Sequence, residues 1–298
     1  MSRTDDDSWD IVDSVGATAL GVAYARARES ASAQPLFVDP HAQQFVDAAE
    51  AQGWNPSLAM AGRFTRIAGY AAARTKWFDE FFIAAGANGI DQAVILAAGL
   101  DARAWRLPWP SGSVVYELDQ PLVLAFKAEV LEQHHAKPAA RYVPVAIDLR
   151  QDWPKALQDS GFDANEPTAW SAEGLLPYLP ATGQDLLFER VQTLSAPGSR
   201  VAVESFGPDF FDPEYLAARR EAMRLAREEA GEPEGPDVAE LWFVEQREDV
   251  VDWLARHGWE TTMITAPDLM TRYHREVSDV TPRTEFVEAR YSGGSPAS

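Results

Sequence analysis

"AVILAAGLDARAWRL", Ala93–Leu107, is an apolar run that stops at a glycine and turns abruptly into charge. Val94 to Ala97 are four consecutive apolar residues with no alternation of polarity, which marks a strand buried on both faces of a parallel sheet. Gly99 then lets the backbone pass close to something. In an α/β sheet, the place where a strand ends and a helix begins is where the sugar or phosphate of a nucleotide-like ligand is held. A strand-to-helix turn with no ligand carries the same pattern, so other residues must decide between the two readings.

Working outward, short apolar runs recur between helical patterns: Ala93–Ala97, Val114–Leu118, Tyr142–Ile147, Thr168–Ser171 and Arg200–Ser205. This is the rhythm of an alternating, mostly parallel α/β sheet. Ahead of the first strand lie three helical patterns: Thr18–Ala33, the turn and helix of "PLFVDPHAQQFVDAAEAQGW", and Ala61–Ala85, whose Phe64, Ile67, Ala71, Trp77, Phe78, Phe81 and Phe82 recur every three to four residues. Behind the fifth lie a charged helical stretch, Pro213–Gly231, the linker "GEPEGPD" and the aromatic "ELWFVEQ". The helix "REDVVDWLARHGW" follows, and Trp259–Ile264 with Glu285–Tyr291 would close the sheet as an antiparallel pair.

The chain has 298 residues, with 46 acidic against 26 basic and a formal charge of −20. Such a balance repels nucleic-acid phosphates and anionic lipid, so no nucleic-acid partner is expected. With no cysteine and five scattered histidines, thiolate chemistry, iron–sulfur clusters and a Cys-bound metal are excluded, and no metal site is expected. "MSRTDDDSWD" is acidic where a signal peptide would be basic, and no apolar run approaches membrane-spanning length. A cytoplasmic protein without membrane insertion is expected.

The strand ends carry acids. The second strand ends "VVYELDQP", with Glu117 and Asp119; Asp119 follows Gly99 by 20 residues (119 − 99), the offset at which a carboxylate accepts both hydroxyls of a ribose. The third ends "VPVAIDLRQDW", where Asp148 can accept from an adenine amino group while the Leu149 N–H donates to a ring nitrogen. The fourth ends "TAWSAEGLLPYLP", bringing Glu173 to the same rim. Each acid alone reads as a helix cap or turn residue; several at successive strand ends do not. A nicotinamide oxidoreductase is the first rival, but its G-x-G-x-x-G turn needs three glycines and "AAGLDARA" supplies one. Acids around the ligand suit instead a nucleoside without phosphates that carries a positive centre, as S-adenosylmethionine does.

"ARTKWFDEFF", "VILAAGLDARAWRL", "ELDQPLVLAFKAEVL", "VAIDLRQDWPKAL" and "EGLLPYLP", in this order, resemble the successive motifs of the S-adenosylmethionine-dependent methyltransferases related to leucine carboxyl methyltransferase, above all their actinobacterial branch; "ESASAQPLFVDPHAQQFV" resembles that branch too. The likeness runs from about Ala17 to Tyr291. It implies a Rossmann-like class I methyltransferase fold: a seven-stranded, mostly parallel sheet with its last strand antiparallel. One methyltransferase domain would span 1–298, with a helical cap (1–85), the cofactor-binding half of the sheet (86–205), an inserted cap (206–247), a closing helix and strands (248–291) and a flexible tail (292–298). It also implies roles. Arg74 would pair with the methionyl carboxylate, Gly99 would allow close approach to the methionyl and ribose portion, Asp119 would hold the ribose, Asp148 and Leu149 would frame the adenine, and Glu173 would sit near the amino-acid end.

One departure stands out. Ala97 occupies the place of the first glycine in the family's Gly-Ala-Gly turn, tolerable if its backbone angles are ordinary. The expected reaction is O-methylation of a carboxylate or hydroxyl on a small, lipophilic acceptor. Its pocket is expected between the N-terminal helices and the inserted cap, near Phe206, Phe210, Phe211, Tyr215, Trp242 and Phe243. No general base can be named, since His41, His134, His135, His257 and His274 all read as structural or solvated. The alternatives are methylation of a protein C-terminal carboxylate, a catalytically weak cofactor-binding protein, and, behind these, the oxidoreductase.

Overall fold

The computed structural model describes residues 15–54, 62, 65, 67–207, 210, 212–231 and 241–293. Seven strands form one sheet in the order β3-β2-β1-β4-β5-β7-β6. They are β1 (Gln92–Leu96), β2 (Val114–Asp119), β3 (Arg141–Ala146), β4 (Thr168–Ala172), β5 (Arg200–Ser205), β6 (Trp259–Thr265) and β7 (Glu285–Tyr291). All pairings among β1 to β5 are parallel, and β7 runs antiparallel between β5 and β6. The fold is the expected class I methyltransferase sheet.

The uninterrupted apolar run of β1 has its reason in the packing. All five residues are buried. Val94 and Leu96 point into a core with Trp153, Trp170, Phe188 and Trp253, while Ala93 and Ile95 point into a second core with Phe78, Phe82, Leu269 and Phe286. Both faces of the central strand are thus covered, and alternate residues serve alternate cores. Three N-terminal helices precede the sheet: α1 (Val15–Ser30), α2 (Ala42–Ala51) and α3 (Ala68–Ala87). Leu20 and Ala23 of α1 and Phe45, Val46 and Ala49 of α2 join Val123, Phe126, Val130 and Leu131 from the helix after β2, α5 (Pro121–Gln133), in a third core. The described part of the third N-terminal helix begins at Ala68, seven residues after the expected start, and Phe64 lies outside the described residues. No helix of the described residues is long and apolar enough to cross a membrane.

The turn after β1 corrects the sequence reading at one position. The strand ends at Leu96, and Ala97 sits in the left-handed region with φ of 51°, followed at Gly99 by φ of 53°. Ala97 therefore stands in a conformation that favours glycine, and its angles are not ordinary. An L-residue with a Cβ pays about 1–2 kcal/mol there. Ala97→Gly is expected to raise the free energy of unfolding by about 0.5 kcal/mol, because the relieved strain exceeds the roughly 0.5–1 kcal/mol of added chain freedom. Urea titration of both proteins checks this, and a less stable glycine variant would show that Ala97 carries no strain.

Candidate active site

A cavity of about 1070 Å³ opens at the carboxyl ends of β1, β2, β3 and β4, where the sheet order reverses between β1 and β4. Arg74, Gly99, Asp119, Asp148, Leu149 and Glu173 all line it. Six residues spread over a hundred positions of sequence meet there because each follows or faces a strand end of one parallel sheet. Thr18, Ala19, Val22 and Arg26 line it from α1, on the face that a spacing of three to four residues creates.

Asp119 closes β2 and accepts hydrogen bonds from two backbone amides, Gly99 N–H to Oδ2 at 2.6 Å and Gln120 N–H to Oδ1 at 2.6 Å. These fix the carboxylate while its other lone pairs remain for a ligand. Burial raises its pKa, and the two amide bonds oppose that shift. A Cβ on Gly99 would lie 3.4 Å from the Ala19 side chain of α1, so the turn is tight from above as well as constrained in φ. Glu117, two residues earlier, does not line the cavity. It faces the fully buried Lys127 of α5 in an ion pair, and burial pushes its carboxyl up to about 7 against the pull of that lysine.

At the other end of the cavity floor lies a charged cluster that the sequence did not disclose as a unit. Arg74 on α3 reaches Glu173 at 3.0 Å through Nε and Glu204 of β5 at 3.0 Å through Nη1. Glu204 also accepts from the Tyr70 hydroxyl, which contacts Thr284 at 2.8 Å. Glu173 is shared with Arg103, at 2.7 Å. Arg103, in the short α4 (Arg103–Arg106), also donates to Asp79 at 2.7 Å, to Asp101, and to the Thr75 carbonyl at 3.3 Å. Burial alone would raise the Glu173 pKa, but the guanidinium groups of Arg103 and Arg74 outweigh it and hold that carboxyl low. Gly174, with φ of 65°, lets the chain after Glu173 pass the Arg74–Glu204 pair; a Cβ there would lie 3.3 Å from Arg74 Nη1.

Asp148 and Leu149 follow β3. Both oxygens of Asp148 are engaged by the Arg150 guanidinium, with Nη2 to Oδ2 at 2.6 Å, and the Arg150 charge and hydrogen bonds overcome burial to lower the Asp148 pKa. The Leu149 N–H has no acceptor among the described residues. The apolar wall holds Phe206, Phe210, Trp242 and Phe243. Tyr215 supports Phe210 from behind, at 5.7 Å between ring centroids, and does not line the cavity. Phe211 lies outside the described residues. None of the five histidines lines the cavity; His257, for example, stacks on Trp253 at 3.7 Å.

Sequence reasoning missed Glu204, Tyr70 and Arg103 as site residues. Glu204 carried a readable signal, a charge inside the apolar run "VAVESF" at a strand end. Arg103 stood in the opening stretch itself, but its partners come from three other segments.

A parallel sheet with β7 antiparallel beside its edge is the class I methyltransferase fold. The model of the leucine carboxyl methyltransferase family matches residues 19–192. A protein of Mycolicibacterium paratuberculosis, provisionally named an S-adenosyl-L-methionine-dependent methyltransferase, is 54% identical over 97% of both chains. One of Mycobacteroides abscessus with the same name is 52% identical over 97% of this chain and 99% of its own. A solved DUF574-family protein of Streptomyces avermitilis superposes with a TM-score of 0.52 at 14% identity, covering 92% of this chain and 97% of its own. The chain belongs to the leucine carboxyl methyltransferase family.

The Asp101 carboxyl, held by Arg103 and also facing Arg26, Lys127 and Arg106, is pulled down to about 2 despite the burial that opposes it. A carboxyl whose folded pKa lies below its ordinary 3.8 contributes stability that is complete above that value and is lost as pH falls toward 2. The stability gap between the wild type and Asp101→Asn is therefore expected to be widest above about pH 5 and to shrink by about 2 kcal/mol by pH 2. Denaturant titrations at several pH values measure it; a gap independent of pH would remove Asp101 from the acid transition.

Proposed function

We propose that this chain transfers a methyl group from S-adenosylmethionine to a carboxylate or hydroxyl oxygen of a small, lipophilic acceptor. The observation that carries the reading is the convergence of Arg74, Gly99, Asp119, Asp148, Leu149 and Glu173 on one cavity at the sheet's switch point. The donor set fits the cofactor part by part. The fixed Asp119 carboxylate accepts the two ribose hydroxyls, and the unpartnered Leu149 N–H donates to an adenine nitrogen. Both Asp148 oxygens are occupied by Arg150, so its share in adenine recognition requires Arg150 to yield one of them.

At the amino-acid end, Arg74 Nη2 makes no hydrogen bond among the described residues and is the atom left for the methionyl carboxylate, while Glu173 and Glu204 take the ammonium. Behind this end, Arg26, Arg74, Arg103 and Arg106 pair with Asp39, Asp79, Asp101, Glu173 and Glu204 in one network. The described parts of segments 1–85 and 206–247 would act as caps over the cofactor-binding half, 86–205, in one catalytic unit.

When bound, S-adenosylmethionine would supply the methyl group and a sulfonium leaving group: an oxygen lone pair of the acceptor would become the C–O bond, and the C–S bonding pair would stay with sulfur. The protein's part is alignment and exclusion of water. An ionised carboxylate acceptor needs no proton removed, in keeping with a cavity that no histidine lines.

Asp119→Ala is expected to cost about 2 kcal/mol of S-adenosylmethionine binding by calorimetry, with the fold retained. Unchanged affinity would take the ribose away from Asp119. Arg74→Lys is expected to weaken S-adenosylmethionine while adenosine binds as before, because only the former carries the carboxylate. Equal losses for both ligands would make Arg74 a structural group. Gly99→Val, which places a branched side chain at a φ of 53° and against Ala19, is expected to abolish cofactor binding. A folded valine variant with normal affinity would free Gly99 from the site.

A further inference from the structure

The cations of the cavity are answered one by one, with a single exception among the described residues. Arg26 donates to the Leu100 carbonyl at 2.8 Å, Arg74 bridges two glutamates, Arg150 holds Asp148, and Arg190 donates to the Gln151 carbonyl at 2.9 Å. Arg219 also lines the cavity, and it makes no hydrogen bond or ion pair among the described residues; its Nε is buried without a partner. Trp242, which also lines the cavity, carries a second buried donor without an acceptor, its indole N–H.

The sequence of the helix explains why Arg219 is alone. Arg219 lies on α8 (Pro213–Glu229), and its neighbours three and four positions away are Tyr215, Leu216, Ala222 and Met223, none of them acidic. Arg224 of the same helix is, by contrast, flanked by Glu221 and Glu228 and pairs with both. Leu216, one turn before Arg219, is buried, so Arg219 belongs to the inward face. The helix is also docked on that face, since the Tyr215 hydroxyl accepts from the Arg283 N–H at 3.0 Å. Phe206 and Phe210 are in edge contact at 4.8 Å, and Phe210 lies 5.5 Å from Trp242 and 5.7 Å from Tyr215, one turn before Arg219 on α8. Desolvated donors without acceptors are costly, and a planar guanidinium is built to meet a carboxylate.

We propose that Arg219 and Trp242 form an anion clasp in the acceptor end of the cavity, recognising a carboxylate carried on a flat or alkyl body that lies against Phe206 and Phe210. The assignment rests on the methyltransferase reading of the cavity and names its acceptor class: a small apolar carboxylic acid.

Calorimetry tests it with two carboxylates and their neutral amides, cinnamate against cinnamamide and decanoate against decanamide, each titrated into the whole protein with and without S-adenosylhomocysteine. At least one carboxylate is expected to bind about tenfold more tightly than its amide. Arg219→Gln should erase that preference, Arg219→Lys should keep part of it, and neither should change the affinity for S-adenosylhomocysteine. Equal binding of acid and amide, a preference that survives Arg219→Gln, or no binding of either carboxylate would overturn the clasp. A wild type that fails to bind S-adenosylhomocysteine would strike the cofactor reading instead, and the titrations without it would still decide the clasp.

Discussion

The guanidinium of Arg103 is fully buried, and each of its sides is answered by a different part of the chain: Asp79 and the Thr75 carbonyl from α3, Asp101 from the turn after β1, and Glu173 from the end of β4. A buried charge is tolerable only when it is paired and hydrogen-bonded in this way, and removing one partner is expected to cost far more than a surface ion pair would. The geometry of the site follows from this constraint. The turn after β1, the helix before the sheet and the rim of β4 are locked to one another before any ligand enters. Arg106 extends the lock, donating to both oxygens of Asp79 at 2.6 Å, and together with Arg26 it lies 3.8 Å from Asp39, just ahead of α2. The N-terminal helices are therefore held to the sheet by charge as well as by the apolar core of Leu20, Phe45 and Phe126.

That lock divides the cavity into ends of different character. Toward α3 and β5 the polar groups are already paired with each other, so a ligand there replaces or joins existing contacts and meets a preorganised field. Toward α8 the wall is aromatic and two donors are unanswered. On the proposed reading, a site that organises its cofactor end in advance and leaves its acceptor end unsatisfied gains most from the acceptor that supplies the missing oxygens.

The parts of the fold legible in the sequence were those set by local pattern. The unbroken apolar run of β1 encoded two-sided burial. The 20-residue step from Gly99 to Asp119 points to a ribose carboxylate and does not disclose the contact that the structure makes across it, amide to carboxylate at 2.6 Å. The buried charge network was not legible, because its pairs join residues up to 130 positions apart, as Arg74 and Glu204 do, and no spacing rule connects them. Glu117 shows the same limit from the other side. It lies on the same face of β2 as Asp119, but two residues deeper in the strand, where it is fully buried and taken by Lys127 of α5.

Ala97 brings local strain and site geometry together. Left-handed backbone at a non-glycine residue persists only where the surroundings over-determine it. Here the next residue is fixed by the Ala98 N–H bond to the Leu118 carbonyl at 3.1 Å, and the turn is then tied by Gly99 to Asp119. The two strands that pin the turn are β1 and β2, so the strain at Ala97 is held by the same contacts that orient Asp119. Ala97 both lines the cavity and packs against the core of Val94 and Leu96, so its methyl stands at the pocket floor while the amides of Gly99 and Gln120 keep their bonds to the Asp119 carboxylate.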